Sequence, residues 1–91
     1  MKNLERIYKA FANRRRMAIL RLLNQRKEMK VSDVASGIKL SFKSTSKHLN
    51  ILSNVEILDK EQRGLEMYYS LNKSPSSIIR SLLKPISYSR E

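Results

Sequence analysis

The stretch Ser41–Val55, SFKSTSKHLNILSNV, is the part of the sequence around which the other segments are interpreted. On a helix, residues at i, i+3, i+7 and i+10 share one face, and here they are Phe42, Thr45, Leu49 and Leu52. The opposite side carries Lys43, Ser46, Lys47 and Asn50. The hydroxyl of Ser41 can accept an N–H of the first turn and so cap the helix. The pattern predicts a short helix with one apolar face and one basic face that lacks a carboxylate.

The charge of the chain favours a polyanionic partner. Its 91 residues include 19 basic and 8 acidic residues, which gives a formal net charge of +11 at pH 7. Residues 1–54 hold 13 of the basic and 3 of the acidic residues, so the excess lies with the basic helix. Such a surface attracts DNA, RNA or an anionic membrane. The alternative is a basic protein whose charged faces only meet solvent.

Length and composition narrow the class of protein. A chain of this size predicts a single domain, residues 1–91, that buries about 60–65% of its unfolded surface and benefits from a partner subunit. It has no cysteine, which excludes disulfides, zinc fingers and thiol switches. No apolar run approaches the roughly 18–20 residues of a membrane span. Charged residues interrupt the N-terminal MKNLERIYKA, so no signal peptide is expected and the predicted location is cytoplasmic.

Two helices are predicted before the basic one. The first has an apolar stripe made of Leu4, Ile7, Tyr8 and Phe11. Asn13 can cap the second, which covers residues 14–25 and has a wide apolar face for a core. Arg14, Arg15 and Arg16 crowd its first turn, where the helix dipole disfavours cations. A phosphate bound at this N-terminus would offset that cost, and the alternative is a solvated cluster.

A turn connects the basic helix to another short helix. Residues 26–30 are interpreted as a polar connector, and Ser32 as the N-cap of a helix that runs to about Ile38. Lys39 and Leu40 then form a tight turn into Ser41. Two short helices joined in this way predict a helix-turn-helix.

The remaining residues predict a hairpin and a last helix. Ile57 and Leu58 begin a strand, Arg63-Gly64 indicates the turn, and residues 65–71 form the return strand. Ser74 is the predicted N-cap of the last helix, with Pro75 at its first position. Its apolar stripe is Ile78, Ile79, Leu82 and Leu83, continuing to Ile86. Pro85 is expected to end or kink this helix, and the tail SYSRE to fray.

Three segments, in this order, resemble the ArsR-type repressors of bacteria and archaea over about residues 4–72. YKAFANRRRMAILRLL (8–23) is similar to the second-helix signature of that family. EMKVSDVASGIKLSFKSTSKHLNILSNVEIL (28–58) resembles its helix-turn-helix, and RGLEMYYSL (63–71) resembles its wing and return strand. The resemblance implies a winged helix-turn-helix, mainly α with a small β-hairpin, in the order α-α-α-α-β-β-α. It also implies a homodimeric transcriptional repressor that binds double-stranded DNA.

The resemblance places the recognition helix in the major groove and the wing against the DNA backbone or minor groove. Carried over by position, the DNA readers are Lys43, Ser44, Ser46 and Lys47, with Phe42 at their margin. Either lysine can contact guanine or phosphate. In the wing, Lys60 and Arg63 are expected to contact phosphate. The predicted interface also includes Asn50, which lies on the basic face of the helix. It further includes Arg14 and Arg15, which would bind a phosphate at the N-terminus of the second helix.

Three positions depart from the family pattern. The family often has glutamine at Phe42, which leaves this phenylalanine either to touch a thymine methyl or to enter the core. It usually has glycine at Lys39 and Glu56, each just past a helix end. If these two residues keep a left-handed conformation, each costs on the order of 1 kcal/mol; otherwise the turns are rebuilt.

The same resemblance implies a dimer through the first and last helices. The eight residues expected to form it are Leu4, Ile7, Tyr8, Phe11, Ile78, Ile79, Leu82 and Leu83. The alternative is that both stripes complete the core of the monomer. For a chain of this length we favour the dimer.

No metal or cofactor is predicted. Many ArsR-type repressors sense metals through a cysteine pair, and the corresponding positions here are Lys30 and Ser32, which are unsuited to soft metals. A second family site, on the last helix, uses acidic and histidine ligands, which residues 75–90 lack. His48, the single histidine, is interpreted as a packed residue. The identity of any effector stays open.

The sequence predicts a binding protein rather than an enzyme. It has neither a recognisable Ser/His/Asp set nor a glycine-rich phosphate loop. The alternatives to a sequence-specific repressor are a basic module that binds nucleic acid without sequence preference, and a winged-helix module that binds protein. Membrane binding by the first helix is not expected, because Glu5 opposes its few cations.

Overall fold

The computed structural model describes residues 4–87, which form five helices and three strands. In chain order these are α1 (Leu4–Phe11), α2 (Arg14–Arg26), β1 (Glu28–Lys30), α3 (Val31–Ile38), α4 (Phe42–Asn54), β2 (Leu58–Arg63), β3 (Glu66–Leu71) and α5 (Ser77–Ser87). The pair α3–α4 is the helix-turn-helix and β2–β3 is the wing, so the predicted mainly α, winged helix-turn-helix fold is confirmed. The structure adds one element to the predicted order, the strand β1.

The strand β1 lies in the segment interpreted as a polar connector, and that interpretation was wrong. It pairs antiparallel with β3, which makes a three-stranded sheet in the order β1-β3-β2. Met29 lies opposite Tyr69 and is buried, whereas Glu28 is exposed and Lys30 half-buried. Three residues with one apolar side chain show too little apolar/polar alternation to be distinguished from a loop. The strand is therefore identified only by its pairing with β3 in the structure.

All five helices and three strands contribute to one core. Its fully buried side chains come from α2, α3, α4 and the start of the hairpin: Ile19, Leu20, Leu23, Val34, Thr45, Leu49, Leu52 and Ile57. Met29, Tyr69 and Ile79 extend the same cluster to β1, β3 and α5. The recognition helix α4 is therefore fixed by its inner face to the centre of the molecule, and its outer face remains at the surface.

Two of the predicted helix caps are confirmed and two are wrong. The side chain of Asn13 accepts the Arg16 N–H at 3.0 Å, and the hydroxyl of Ser41 accepts the Ser44 N–H at 3.1 Å. Helix α3 begins before Ser32, at Val31, and its N-cap is Lys30, whose side chain makes no capping hydrogen bond. The strand β1 leads directly into α3, so the backbone geometry is already set one residue earlier.

The last helix begins and ends later than predicted. It starts at Ser77 instead of Pro75, and the Ser76 hydroxyl accepts the Ile79 N–H at 3.5 Å, a role expected for Ser74. Pro85 does not end the helix, which continues to Ser87. Pro85 removes one backbone hydrogen bond, but Ile86 beyond it is buried in the core, and that burial favours the continued helix. Most of the tail SYSRE lies outside the described residues.

Lys39 and Glu56 both keep the left-handed conformation, with φ of 57° and 64°. At each site the N–H of the left-handed residue and the N–H of the next residue donate to carbonyls of the preceding helix. Leu40 N–H donates to Ala35 O and Ile57 N–H to Leu52 O, both at 3.0 Å. This is the usual closure of a helix that ends in glycine, made here without glycine. The turns on both sides of α4 are therefore not rebuilt, and each retains strain of about 1 kcal/mol.

Candidate nucleic-acid interface

The recognition helix presents its cations to solvent. Thr45, Leu49 and Leu52 are wholly buried, and this fixes the rotation of α4 about its axis. Lys43, Lys47 and Asn50 are consequently exposed on the outer side, while Ser44 and Ser46 are half-buried beside them. Within residues 4–87, neither Lys43 nor Lys47 forms an ion pair, and α4 contains no acidic residue. The structure thus brings the five predicted readers of this helix onto one accessible surface.

Phe42, the first residue of α4, does not enter the core. Its side chain is 60% exposed, which excludes burial in the core, one of the two alternatives left open by the sequence. An aromatic ring in water at this position forgoes the free energy that burial would supply. Phe42 therefore belongs to the outer surface of α4, next to Lys43.

The arginine cluster of α2 has a structural explanation that sequence reasoning missed. Arg16 donates to Ala10 O at 2.8 Å and to Lys9 O at 3.1 Å, in the last turn of α1. Arg15 donates to Ile38 O at 3.1 Å, at the last residue of α3. The C-terminal carbonyls of a helix carry partial negative charge and favour cations. Two of the three arginines thus stabilise the ends of other helices, and Arg14 is exposed.

Arg16 also reaches the back of the recognition helix. Its guanidinium lies 3.1 Å from Nδ1 of His48. Arginine can only donate, so Nδ1 must be the unprotonated nitrogen and His48 is neutral. Burial lowers the pKa of His48, and the charges of Arg16 and Arg15 lower it further. His48 is therefore the packed, hydrogen-bonded residue predicted from the sequence. In the described part of the chain no group of three or more His, Asp or Glu side chains is arranged to hold a metal ion.

The wing divides its two predicted cations between opposite faces. Lys60 lies opposite Tyr69, whose ring is buried on the helix side of the sheet. Side chains alternate along a strand, so Arg63, three residues later, belongs to the other face. The sequence predicts that both residues lie in the wing, but it was not used to predict that they lie on opposite faces of the sheet.

Arg63 is occupied by carboxylates. It donates to both oxygens of Glu28, at 2.9 and 2.6 Å, and to Glu61 at 2.9 Å. Its guanidinium also stacks on Tyr68, 4.5 Å from the ring centre. These hydrogen bonds raise the pKa of Arg63 and lower that of Glu28. A DNA phosphate would have to compete with Glu28 for this arginine, whereas Lys60 has no ion pair among residues 4–87.

Asn50 is linked to the sheet as well as exposed. Its amide oxygen accepts the hydroxyl of Tyr69 at 3.4 Å, and burial raises the pKa of that tyrosine. The Asn50 side chain therefore connects the wing to the recognition helix while the residue remains exposed. The sequence around Asn50 and Tyr69 does not predict this hydrogen bond.

The predicted dimerisation residues fall into two groups. Ile7, Phe11 and Ile79 are buried within the single chain, so they complete its core. Leu4, Ile78, Leu82 and Leu83 are half-buried, and Tyr8 is 48% exposed. Of the eight predicted residues, only those of the second group are accessible for contact with a second copy. No helix between residues 4 and 87 is long and apolar enough to cross a membrane.

Comparisons with known proteins agree with this geometry. The model of the arsR family of bacterial regulatory proteins matches residues 13–60, the segment from the cap of α2 to the start of β2. The chain belongs to this family. Its members are transcriptional regulators and not enzymes. This chain is therefore a DNA-binding regulator.

Two curated relatives are transcriptional repressors. SdpR of Bacillus subtilis (strain 168) is 38% identical over 66 residues, which are 72% of each chain. PagR of Bacillus anthracis is 31% identical over 80 residues, which are 88% of this chain and 80% of PagR.

A solved structure has the same fold. The homodimeric winged helix-turn-helix DNA-binding domain of Mb0332 from Mycobacterium bovis superposes with a TM-score of 0.78 at 26% identity. The match covers 93% of this ArsR-family chain and 75% of the Mb0332 fragment.

Proposed function

We propose that this ArsR-family protein, as a single domain over residues 1–91, is a dimeric repressor that reads a specific DNA sequence through α4. The observation that carries the proposal is the outer face of that helix, where Lys43 and Lys47 are exposed and unpaired within the described chain. A major groove accepts an α-helix and supplies the phosphates and guanine edges that lysine binds.

The remaining readers have supporting roles in this proposal. Ser44, Ser46 and Asn50 supply hydrogen bonds to base edges or phosphates beside the two lysines. Lys60 contacts the backbone from the helix side of the wing. Arg14 and Arg15 lie near the N-terminus of α2, where a phosphate suits both the cations and the helix N–H groups. Arg63 joins them only if a phosphate displaces Glu28.

Two copies of the chain are proposed to associate through α1 and α5. Five apolar side chains of these helices are covered only in part by the core of one chain: Leu4, Tyr8, Ile78, Leu82 and Leu83. The domain of Mb0332, which has the same fold, is homodimeric, and this supports a dimer of this chain. A two-fold dimer would present two copies of α4 to successive major grooves.

No metal-sensing site is proposed for this regulator. The chain has no cysteine, so the thiolate ligands of a soft-metal sensor cannot form. Its single histidine is held by Arg16. Adding zinc or copper should leave DNA affinity unchanged, and a large shift would overturn this part of the proposal.

Selection of preferred duplexes from a random DNA pool tests the function. A two-fold symmetric consensus is expected, with half-sites about one helical turn apart. Recovery of random sequences would instead identify a basic module that binds without sequence preference. Binding should also weaken steeply as salt rises, because cations on phosphates release counterions.

Sedimentation of Leu82→Asp tests the dimer. A buried carboxylate at the interface should yield monomers and abolish binding to the symmetric duplex. Leu65→Asp is the matched control, because Leu65 at the tip of the wing is fully exposed and the same substitution should leave the oligomeric state unchanged. A wild-type protein that is monomeric at micromolar concentration would contradict the proposal.

A further inference from the structure

Phe42 is a large apolar side chain at the place where the proposed function requires contact with DNA. It occupies the first position of α4 and is 60% exposed, although the other apolar side chains on its side of the helix are wholly buried. The first residues of a recognition helix are those that approach base edges most closely. The cap made by Ser41 fixes the backbone here, so the ring is presented from a rigid support.

The neighbours of Phe42 are suited to DNA rather than to a protein partner. Lys43 follows it in sequence, and Ser46 lies one turn further along the same side of the helix. Lys43 and Lys47 are exposed and α4 has no acidic residue, so this surface attracts a polyanion. A phenyl ring held among these cations is brought into the groove when they bind.

The chemistry of the ring restricts what it can recognise. A phenyl group has no hydrogen-bond donor or acceptor, so it cannot read the polar code of the base edges. The apolar feature of the major groove is the 5-methyl group of thymine. We propose that Phe42 is a specificity-determining residue that selects thymine through this methyl group. The inference rests on the proposed function and deepens it.

Removing single methyl groups from the DNA tests the inference. The duplex selected above is synthesised with deoxyuridine in place of thymine, one position per half-site at a time, and binding is measured by fluorescence anisotropy. Burying a methyl group contributes enough to change the affinity about fourfold. At one of these positions, wild-type protein should therefore lose about fourfold in affinity for each methyl group removed. Phe42→Ala should bind the thymine duplex and the deoxyuridine duplex equally.

Matched variants separate the ring from a general loss of affinity. Ile51→Ala is the control, because Ile51 is also exposed on α4 but lies on another side of the helix, so it should keep the fourfold discrimination. Phe42→Leu, which remains apolar, should keep part of it. Phe42→Gln should move the preference at that position from thymine to adenine, since glutamine can pair with an adenine edge.

The outcomes distinguish the inference from the function. If wild-type protein tolerates deoxyuridine at every position of a well-defined consensus, the function stands and the role of Phe42 is overturned. If Phe42→Ala retains the wild-type discrimination, the methyl group is read by another residue and the inference is again overturned. If the pool yields no consensus, the proposed function fails first, and the specificity of Phe42 fails with it.

Discussion

The recognition helix and the wing both carry cations, but they differ in how many are already paired within residues 4–87: neither lysine of the helix is paired, whereas one of the two cations of the wing, Arg63, is. On α4, Lys43 and Lys47 have no ion pair among residues 4–87, and the helix is fixed from behind through His48 and Arg16. On the wing, Arg63 is itself part of the support, because it ties the hairpin to Glu28 of β1. The comparison shows that formal charge and available charge differ. A cation that is already paired within the protein contributes less to the affinity for an anionic ligand, since the new contact must replace the old one.

Arg16→Ala should have the largest effect, on the free energy of unfolding. The substitution leaves the carbonyls of Lys9 and Ala10 and the Nδ1 of His48 without their donor. Hydrogen bonds to charged groups contribute about 1.5–3 kcal/mol, so we expect a loss of about 2–3 kcal/mol in urea denaturation. Arg14→Ala is the control and should stay within about 0.5 kcal/mol, because Arg14 is exposed. Equal losses in the two variants would show that Arg16 does not support α4.

Lys47→Ala should have the next largest effect, on DNA affinity. If Lys47 reads a base, binding to the selected duplex weakens by about 1–3 kcal/mol and the preferred sequence changes. If it contacts only phosphate, the loss is uniform across sequences and the salt slope falls by about one. The control is Arg26→Ala, the same change of charge at the C-terminal end of α2, about 18 Å along that helix from Arg14. A loss as large in this control would contradict the assignment of the interface to α4.

Arg63→Ala should weaken DNA binding less than Lys47→Ala, because the guanidinium must first leave Glu28. The converse variant, Glu28→Gln, should tighten binding by releasing Arg63. Asp59→Asn removes the same charge from the same sheet at a residue that forms no ion pair with Arg63, so it is the matched control for Glu28→Gln. An equal gain in both would mean that only net charge matters, and a loss in Arg63→Ala equal to that of Lys47→Ala would remove the contrast between wing and helix.

The smallest expected effect is a dependence of the free energy of unfolding on pH, which comes from His48 on the side of α4 that faces Arg16. The lowered pKa of His48 means that the unfolded chain binds this proton more readily than the folded protein. Stability from this residue is therefore complete above about pH 6.5 and falls as the pH drops from there towards the lowered pKa. Thermal melts across this range measure it. His48→Gln keeps an acceptor for Arg16 but cannot titrate, so it should flatten the curve, and an unchanged slope would exclude His48 as the source.

Local signals explain which predictions succeeded. The caps at Asn13 and Ser41 and the turn at Gly64 depend on a few adjacent residues, and each was found in the predicted place. Ser32 and Ser74 are equally good capping residues but are not used, because a neighbouring residue already has the required backbone geometry. A capping propensity states where a helix can begin, and packing chooses among the candidates.

The candidate interface was predicted in part. The face of α4 that carries Lys43 and Lys47 follows from helical periodicity alone, and the structure exposes that face as expected. The occupation of Arg63 was not predictable, because Glu28 lies 35 residues earlier in the chain and is brought to it by the pairing of β1 with β3. The use of Arg15 and Arg16 on the ends of α3 and α1 was missed for the same reason.

The sequence by itself therefore determined the order of all elements except β1, the basic outer face of the recognition helix and the family resemblance, because these depend on periodicity, caps and composition within short stretches. Only the tertiary structure decided which cations are free, which apolar side chains remain at the surface, and that Phe42 faces outward. Those properties depend on contacts between residues distant in the chain, and no local pattern encodes which partner each side chain meets.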